Sequence, residues 1–164
     1  PLLLHHRVNF SYSSLVIQVH VLCMYLPSFG TSKIIARFGA NRVAMFGLVV
    51  SCAGAALMYV PQTTAVWGYY GAVMASLALV GLGWNFTYVS ATTSVAGCYA
   101  AEERFKAQSF NDVTVFTIGA CLTLGSGSLL ANLGISHVAL GCIILYVVVF
   151  ALNVVVYLQR HRCS

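Results

Sequence analysis

The amino-acid sequence predicts an all-α protein, a polytopic bundle of membrane-spanning helices. Only 7% of its 164 residues are charged while 60% are hydrophobic, and the mean hydropathy is +0.88. A soluble domain carries about 25% charged residues, because it must cover its own surface with groups that water accepts. The eight Lys and Arg and the three Asp and Glu are also clustered, which leaves apolar runs of the length a bilayer demands, about 20 residues.

Taken in order, the elements begin with an external segment. Pro1 stands where an initiating Met belongs, and residues 1–13 are expected to hold the end of a missing preceding helix. Pro1 to Phe10 holds His5, His6 and Arg7 but neither the apolar stretch nor the small-residue cleavage site of a secretory signal. Five spans are then expected within residues 14–158. The first, about 14–30, is the least apolar and carries Gln18, His20 and Pro27. The second, 42–60, stops before the turn Pro61-Gln62-Thr63-Thr64, since Pro61 disfavours helix in the residue preceding it. A third, 65–97, exceeds the thickness of the hydrocarbon and should tilt, kink near Gly81-Leu82-Gly83, or protrude. Ala100 to Lys106 is a charged connection. The fourth span, 107–131, is capped by Asn132-Leu133-Gly134, and the fifth, 136–158, is the most uniformly apolar. Residues 159–164 form a tail.

Charge orients these spans. With five crossings, one side receives Lys33, Arg37 and Arg42, then Arg104 and Lys106, then Arg160 and Arg162. The other receives Arg7 alone, so seven of eight basic residues share a side. The positive-inside rule makes that side cytoplasmic, with the amino terminus outside and the chain in the cell (inner or plasma) membrane. Topology thus accounts for the net charge of +5 without a nucleic-acid partner.

Polar residues inside an apolar span are costly and mark candidate functional positions. Hydrogen bonding between helices, worth about 0.6 kcal/mol on average, is the plainer alternative. Gly81, Asn85, Tyr88 and Thr92 form a stripe at helical spacing on the third span, either lining a water-filled cavity or making a close-packed interface in which Asn85 acts as glue. On the fourth span Asn111 and Thr114 share a face with Cys121 and Ser128, while Asp112 points about 100° away. Asp112 lies eight residues beyond Arg104, about 12 Å along a helix and near the headgroup boundary. It can latch a basic loop, carry a proton, or simply snorkel. On the first span Gln18 shares a face with Ser14 and Tyr25, and His20 one with Cys23, Met24 and Thr31. The six cysteines are far apart with no C-x-x-C pair, which speaks against a disulfide framework or metal site, and no cofactor is implied. No nucleophile elbow or H-E-x-x-H motif occurs, so no enzyme is expected.

The segment from Val16 to Phe29 with Ala36-Arg37-Phe38-Gly39-Ala40-Asn41-Arg42 resembles the eighth helix and following cytoplasmic loop of a major facilitator superfamily permease. Gly81-Leu82-Gly83-Trp84-Asn85-Phe86 is similar to its tenth helix, and Ala101 to Asp112 to the connection into the eleventh. The resemblance runs from about Ser14 to Leu158. It implies helices eight to twelve of a twelve-helix carrier, whose six-helix halves move a small solute by alternating access. An absent amino-terminal half and the lipid bilayer are then the partners. It also makes Gln18, His20, Asn85, Tyr88, Thr92, Asn111 and Thr114 the cavity candidates, with Asp112, Arg37 and Arg42 for gating or proton coupling. Ser32 and Ala36 stand where the family's loop commonly has Gly and Asp, so the usual gating carboxylate is missing here. A non-transporting membrane scaffold or assembly subunit is the competing expectation.

Overall fold

A computed structural model of the chain describes residues 10–59 and 66–162. The turn expected at Pro61, the segment up to Asn9 and Cys163 lie outside the described residues. Among the described residues five helices follow one another: α1 (Phe10–Tyr25), α2 (Ser28–Phe38), α3 (Ala40–Tyr59), α4 (Val66–Cys98) and α5 (Ala101–Arg162). The fold is an all-α membrane bundle. Four helical stretches are long and apolar enough to cross a bilayer: Ser11–Phe38, which joins α1 to α2, then Ala40–Met58, Gly71–Cys98 and Ala101–Gln159.

The first stretch is broken where Pro27, lacking an N–H, interrupts the helical ladder. The chain does not leave the helix near residue 30, however. It winds on through Lys33 and Arg37 to Gly39, where φ is 84° and the glycine N–H closes on Ile35 O at 2.8 Å. The basic loop expected at residues 31–41 is therefore mostly helix. No Gly or Pro lies between Thr31 and Phe38 to stop it, and Thr31 and Ile35, one turn apart, are both buried.

α4 stays helical through Gly81-Leu82-Gly83. Its 33 residues measure about 50 Å, against about 30 Å of hydrocarbon, so the length is taken up by tilt or protrusion rather than by a break. The glycines serve close approach instead. A Cβ on Gly83 would lie 2.5 Å from Gly47 O and 2.7 Å from Ser51 N, both backbone atoms of α3. The interface between α3 and α4 is the most extensive in the molecule.

α5 begins at Ala101, so most of the expected charged connection is helical; Glu102 and Glu103 occupy its first turn, where acidic groups offset the helix dipole. Gly134 (φ 76°, ψ 163°) divides α5 into arms spanning 101–133 and 135–162, each longer than the about 20 residues one crossing needs. The second arm lies along α3. Arg42 donates to Tyr157 Oη at 3.1 Å, and a 350 Å³ groove is lined by Leu48, Cys52 and Ala56 on one side and by Tyr146 and Phe150 on the other. The first arm is largely exposed, with Phe110 at 76% and Leu124 at 84%.

Candidate functional site

On the side of α4 turned toward the first arm of α5, two rows of side chains meet. Trp84 and Tyr88 are four residues apart on α4; Gln108, Asp112 and Phe116 repeat the same spacing on α5, which puts each row on one helix face. Tyr88 Oη donates to Asp112 Oδ1 at 2.9 Å. Gln108 Nε2 and Asn111 Nδ2 donate to the same oxygen at 3.1 and 3.3 Å. Three neutral donors solvate the carboxylate without cancelling its charge, and Oδ2 takes none of these bonds.

Aromatic rings extend the patch. Trp84 stacks on Tyr88 with centroids 4.6 Å apart and planes 9° apart, Tyr25 meets Trp84 edge-on at 6.1 Å, and Phe116 leans on Tyr88 at 6.0 Å. These distances fall in the range where aromatic pairs attract beyond their burial. Side chains from α4 and α5 thus meet at one half-buried carboxylate, and Tyr25 of α1 closes the far end of the ring row. Phenol, indole, amide and carboxylate together offer flat apolar faces with donors and an acceptor at their edge, as suits a ring-bearing polar solute.

The remaining positions singled out by sequence fall elsewhere. Asn85 is fully buried, with Nδ2 donating to Met24 O at 2.7 Å and Ser28 Oγ at 2.6 Å while Oδ1 accepts from Thr31 Oγ1 at 2.7 Å. It therefore turns no free polar group to a cavity in this conformation, and the stripe Gly81-Asn85-Tyr88-Thr92 divides between packing and the patch. His20 Nδ1 lies 2.7 Å from Leu77 O. A carbonyl can only accept, so Nδ1 carries a proton in this contact. Gln18 donates to Ser14 Oγ at 3.1 Å on an exposed face. Thr92 and Thr114 donate back to their own helix, at Val89 O (3.0 Å) and Phe110 O (2.8 Å). Arg37 sits over the Phe38 ring and Arg42 bonds Tyr157, so neither is brought to Asp112.

Sequence reasoning missed Gln108, Trp84, Tyr25 and Phe116. The four-residue spacings from Asp112 and Tyr88 could have flagged three of them. Tyr25 carried no such signal, because its neighbour Trp84 is on another helix.

The chain is 38% identical over 130 residues to the riboflavin transporter RfnT of Brucella anthropi, a match covering 79% of the chain and 31% of that relative. It is 31% identical over 140 residues to the uncharacterized MFS-type transporter YdeG of Bacillus subtilis (85% and 31%) and 29% identical over 152 residues to YddS of the same organism (89% and 34%). This chain belongs to the major facilitator superfamily. Relative to these superfamily members it spans about a third of their length. No family model and no solved structure matches it. Its helices and its relatives make it an integral membrane protein of a transporter family.

Proposed function

We propose that this chain forms the carboxy-terminal part of a carrier that moves a small solute by alternating access, and that the Tyr88–Asp112 patch is part of the wall the solute meets. The observation that carries this reading is the meeting of α4 and α5 at one half-buried carboxylate with uncommitted acceptor capacity, in a bundle whose well-buried polar groups are mostly spent on packing. An ionisable group inside a membrane bundle is expensive to keep and is retained where it serves a pathway. In the proposed topology α1 with α2, α3, α4 and the two arms of α5 make five crossings, with the carboxyl terminus cytoplasmic. Asp112 holds a polar edge of the solute, while Trp84, Tyr88 and Phe116 meet its flat faces.

Riboflavin is the solute named for the Brucella anthropi relative, and its planar ring suits such a wall, so it is the first solute to test. Expressed as the full-length carrier in a riboflavin auxotroph lacking its own uptake, the protein should give saturable riboflavin accumulation that Asp112→Ala reduces at least tenfold (about 1.4 kcal/mol). Uptake of a different solute with the same Asp112 dependence would keep the site and replace the substrate. A carrier that moves no solute at all would leave a scaffold or assembly subunit as the better reading.

A further inference from the structure

The site above does not use Asn85, yet no side chain in the described bundle is more completely enclosed. Its surroundings are unusual in one respect: they straddle the break in the first membrane-crossing stretch. Pro27 has no N–H to offer Cys23 O, and its ring crowds that carbonyl, so α1 stops at Tyr25 and α2 starts at Ser28. Across the gap the backbone bonds run from Leu26 N to Leu22 O, and from Gly30 N and Thr31 N to Pro27 O. Met24 O, which an unbroken helix would pair with the N–H of residue 28, instead accepts Asn85 Nδ2 at 2.7 Å.

The same amide nitrogen reaches Ser28 Oγ at 2.6 Å, and Asn85 Oδ1 accepts from Thr31 Oγ1. One amide on α4 therefore holds the last turn of α1 with two protons' worth of donors shared between it and α2, while its oxygen takes a donor from α2. The reverse placement of the amide would set Oδ1 against a carbonyl oxygen, so chemistry allows a single orientation. Such reach needs close backbones, and they are close: a Cβ on Gly81, one turn before Asn85, would lie 2.6 Å from His20 O. The residues next in sequence to the two bonded partners, Tyr25 beside Met24 and Trp84 beside Asn85, are the pair in edge contact at 6.1 Å.

We infer that Asn85 is a positioning residue: it mends the Pro27 break with a side-chain amide, ties the end of α1 to the start of α2, and by that tie sets Tyr25 against Trp84 in the solute-facing patch. The last step rests on the function proposed above; the mending does not. In a bilayer an unpaired backbone carbonyl finds no water, so a substitute donor is required wherever proline has opened the ladder.

A double-mutant cycle on the full-length carrier tests both halves. Asn85→Ala should lower the melting temperature in detergent by roughly 5 °C. Pro27→Ala restores a backbone N–H at residue 27 and lets the helix close through residue 28, so adding it should recover most of that loss. Additive effects of the two substitutions would overturn the mending, leaving Asn85 as ordinary glue between α4 and α2. Should Asn85→Ala fail to accumulate, Thr31→Val takes its place in the cycle with the same expectation and a smaller shift. The positioning half is read from uptake kinetics with the solute that the wild-type carrier moves. KM should rise several-fold in Asn85→Ala and stay raised in the double variant, because closing the helix does not restore the tie that holds Tyr25 against Trp84. Recovery of KM together with stability would overturn positioning. If the wild-type carrier moves nothing, the transport reading fails while the stability cycle still decides the mending.

Discussion

α4 meets the rest of the molecule through two faces that follow opposite rules. Toward α1, α2 and α3 it presents Ser76, Gly81, Gly83, Asn85 and Ser90, all buried. Toward the first arm of α5 it presents Trp84 and Tyr88, both half-buried. On the closed face small residues let backbones touch, and the polar atoms are largely consumed, as when Ser76 Oγ donates to Gly54 O at 2.6 Å. On the open face large rings surround a carboxylate with one oxygen to spare. Among the described residues the largest fully buried side chains are Asn85, Thr31, Ser76 and Ser90, whereas Leu124 and Phe110 lie outside. Hydrocarbon gives no reward for hiding Leu, so helices associate through close contact and satisfied hydrogen bonds. Polarity on its own therefore does not distinguish a packing residue from a solute ligand here. For Asn85 and Ser76 the polar atoms already have their partners, whereas Ser90 Oγ is buried on the closed face without one.

The contrast can be broken most forcefully at Gly83. A valine there would drive its Cβ into Gly47 O and Ser51 N, which are backbone and cannot swing aside. Gly83→Val should cost about 3 kcal/mol or more, seen as a large fall in melting temperature or loss of monodisperse protein on size-exclusion chromatography. Tyr88→Phe sharpens the comparison from the other face. It removes the 2.9 Å bond to Asp112 and leaves the ring stack with Trp84, so stability should change by only about 0.6 kcal/mol while solute uptake falls several-fold. Equal losses of stability and uptake would reclassify Tyr88 as a packing residue. The smallest effect belongs to Gly125 on the first arm of α5, where an added Cβ meets nothing within 4 Å. Gly125→Ala should stay within about 0.5 kcal/mol of wild type in thermal melting and leave uptake unchanged.

Much of the helical order was legible because it depends on local chemistry. The apolar runs and the break at Gly134 each follow from composition or from a residue's own backbone freedom. The end of the first span was misplaced because charged Lys33 and Arg37 suggested a loop, although nothing between Thr31 and Phe38 forbids helix. In the candidate site, Tyr88, Asn111 and Asp112 were singled out by polarity within a span, and the structure brings them together through one oxygen. Asn85 was singled out by the same signal but is enclosed, since the spacing of a stripe tells which residues share a face and not what that face meets.

Sequence alone thus determined that this is a membrane bundle of helices and which polar side chains stand in apolar runs. Those properties are set by transfer of side chains from water to hydrocarbon and by local backbone geometry. Only the tertiary structure decided which polar groups were spent. The bond of Asn85 to Met24 O spans 61 positions in the chain and that of Tyr88 to Asp112 spans 24. Hydrogen bonds of that kind depend on distances of about 3 Å between separate helices, and for Asn85 that distance follows from the close approach of α4 to α1 at Gly81.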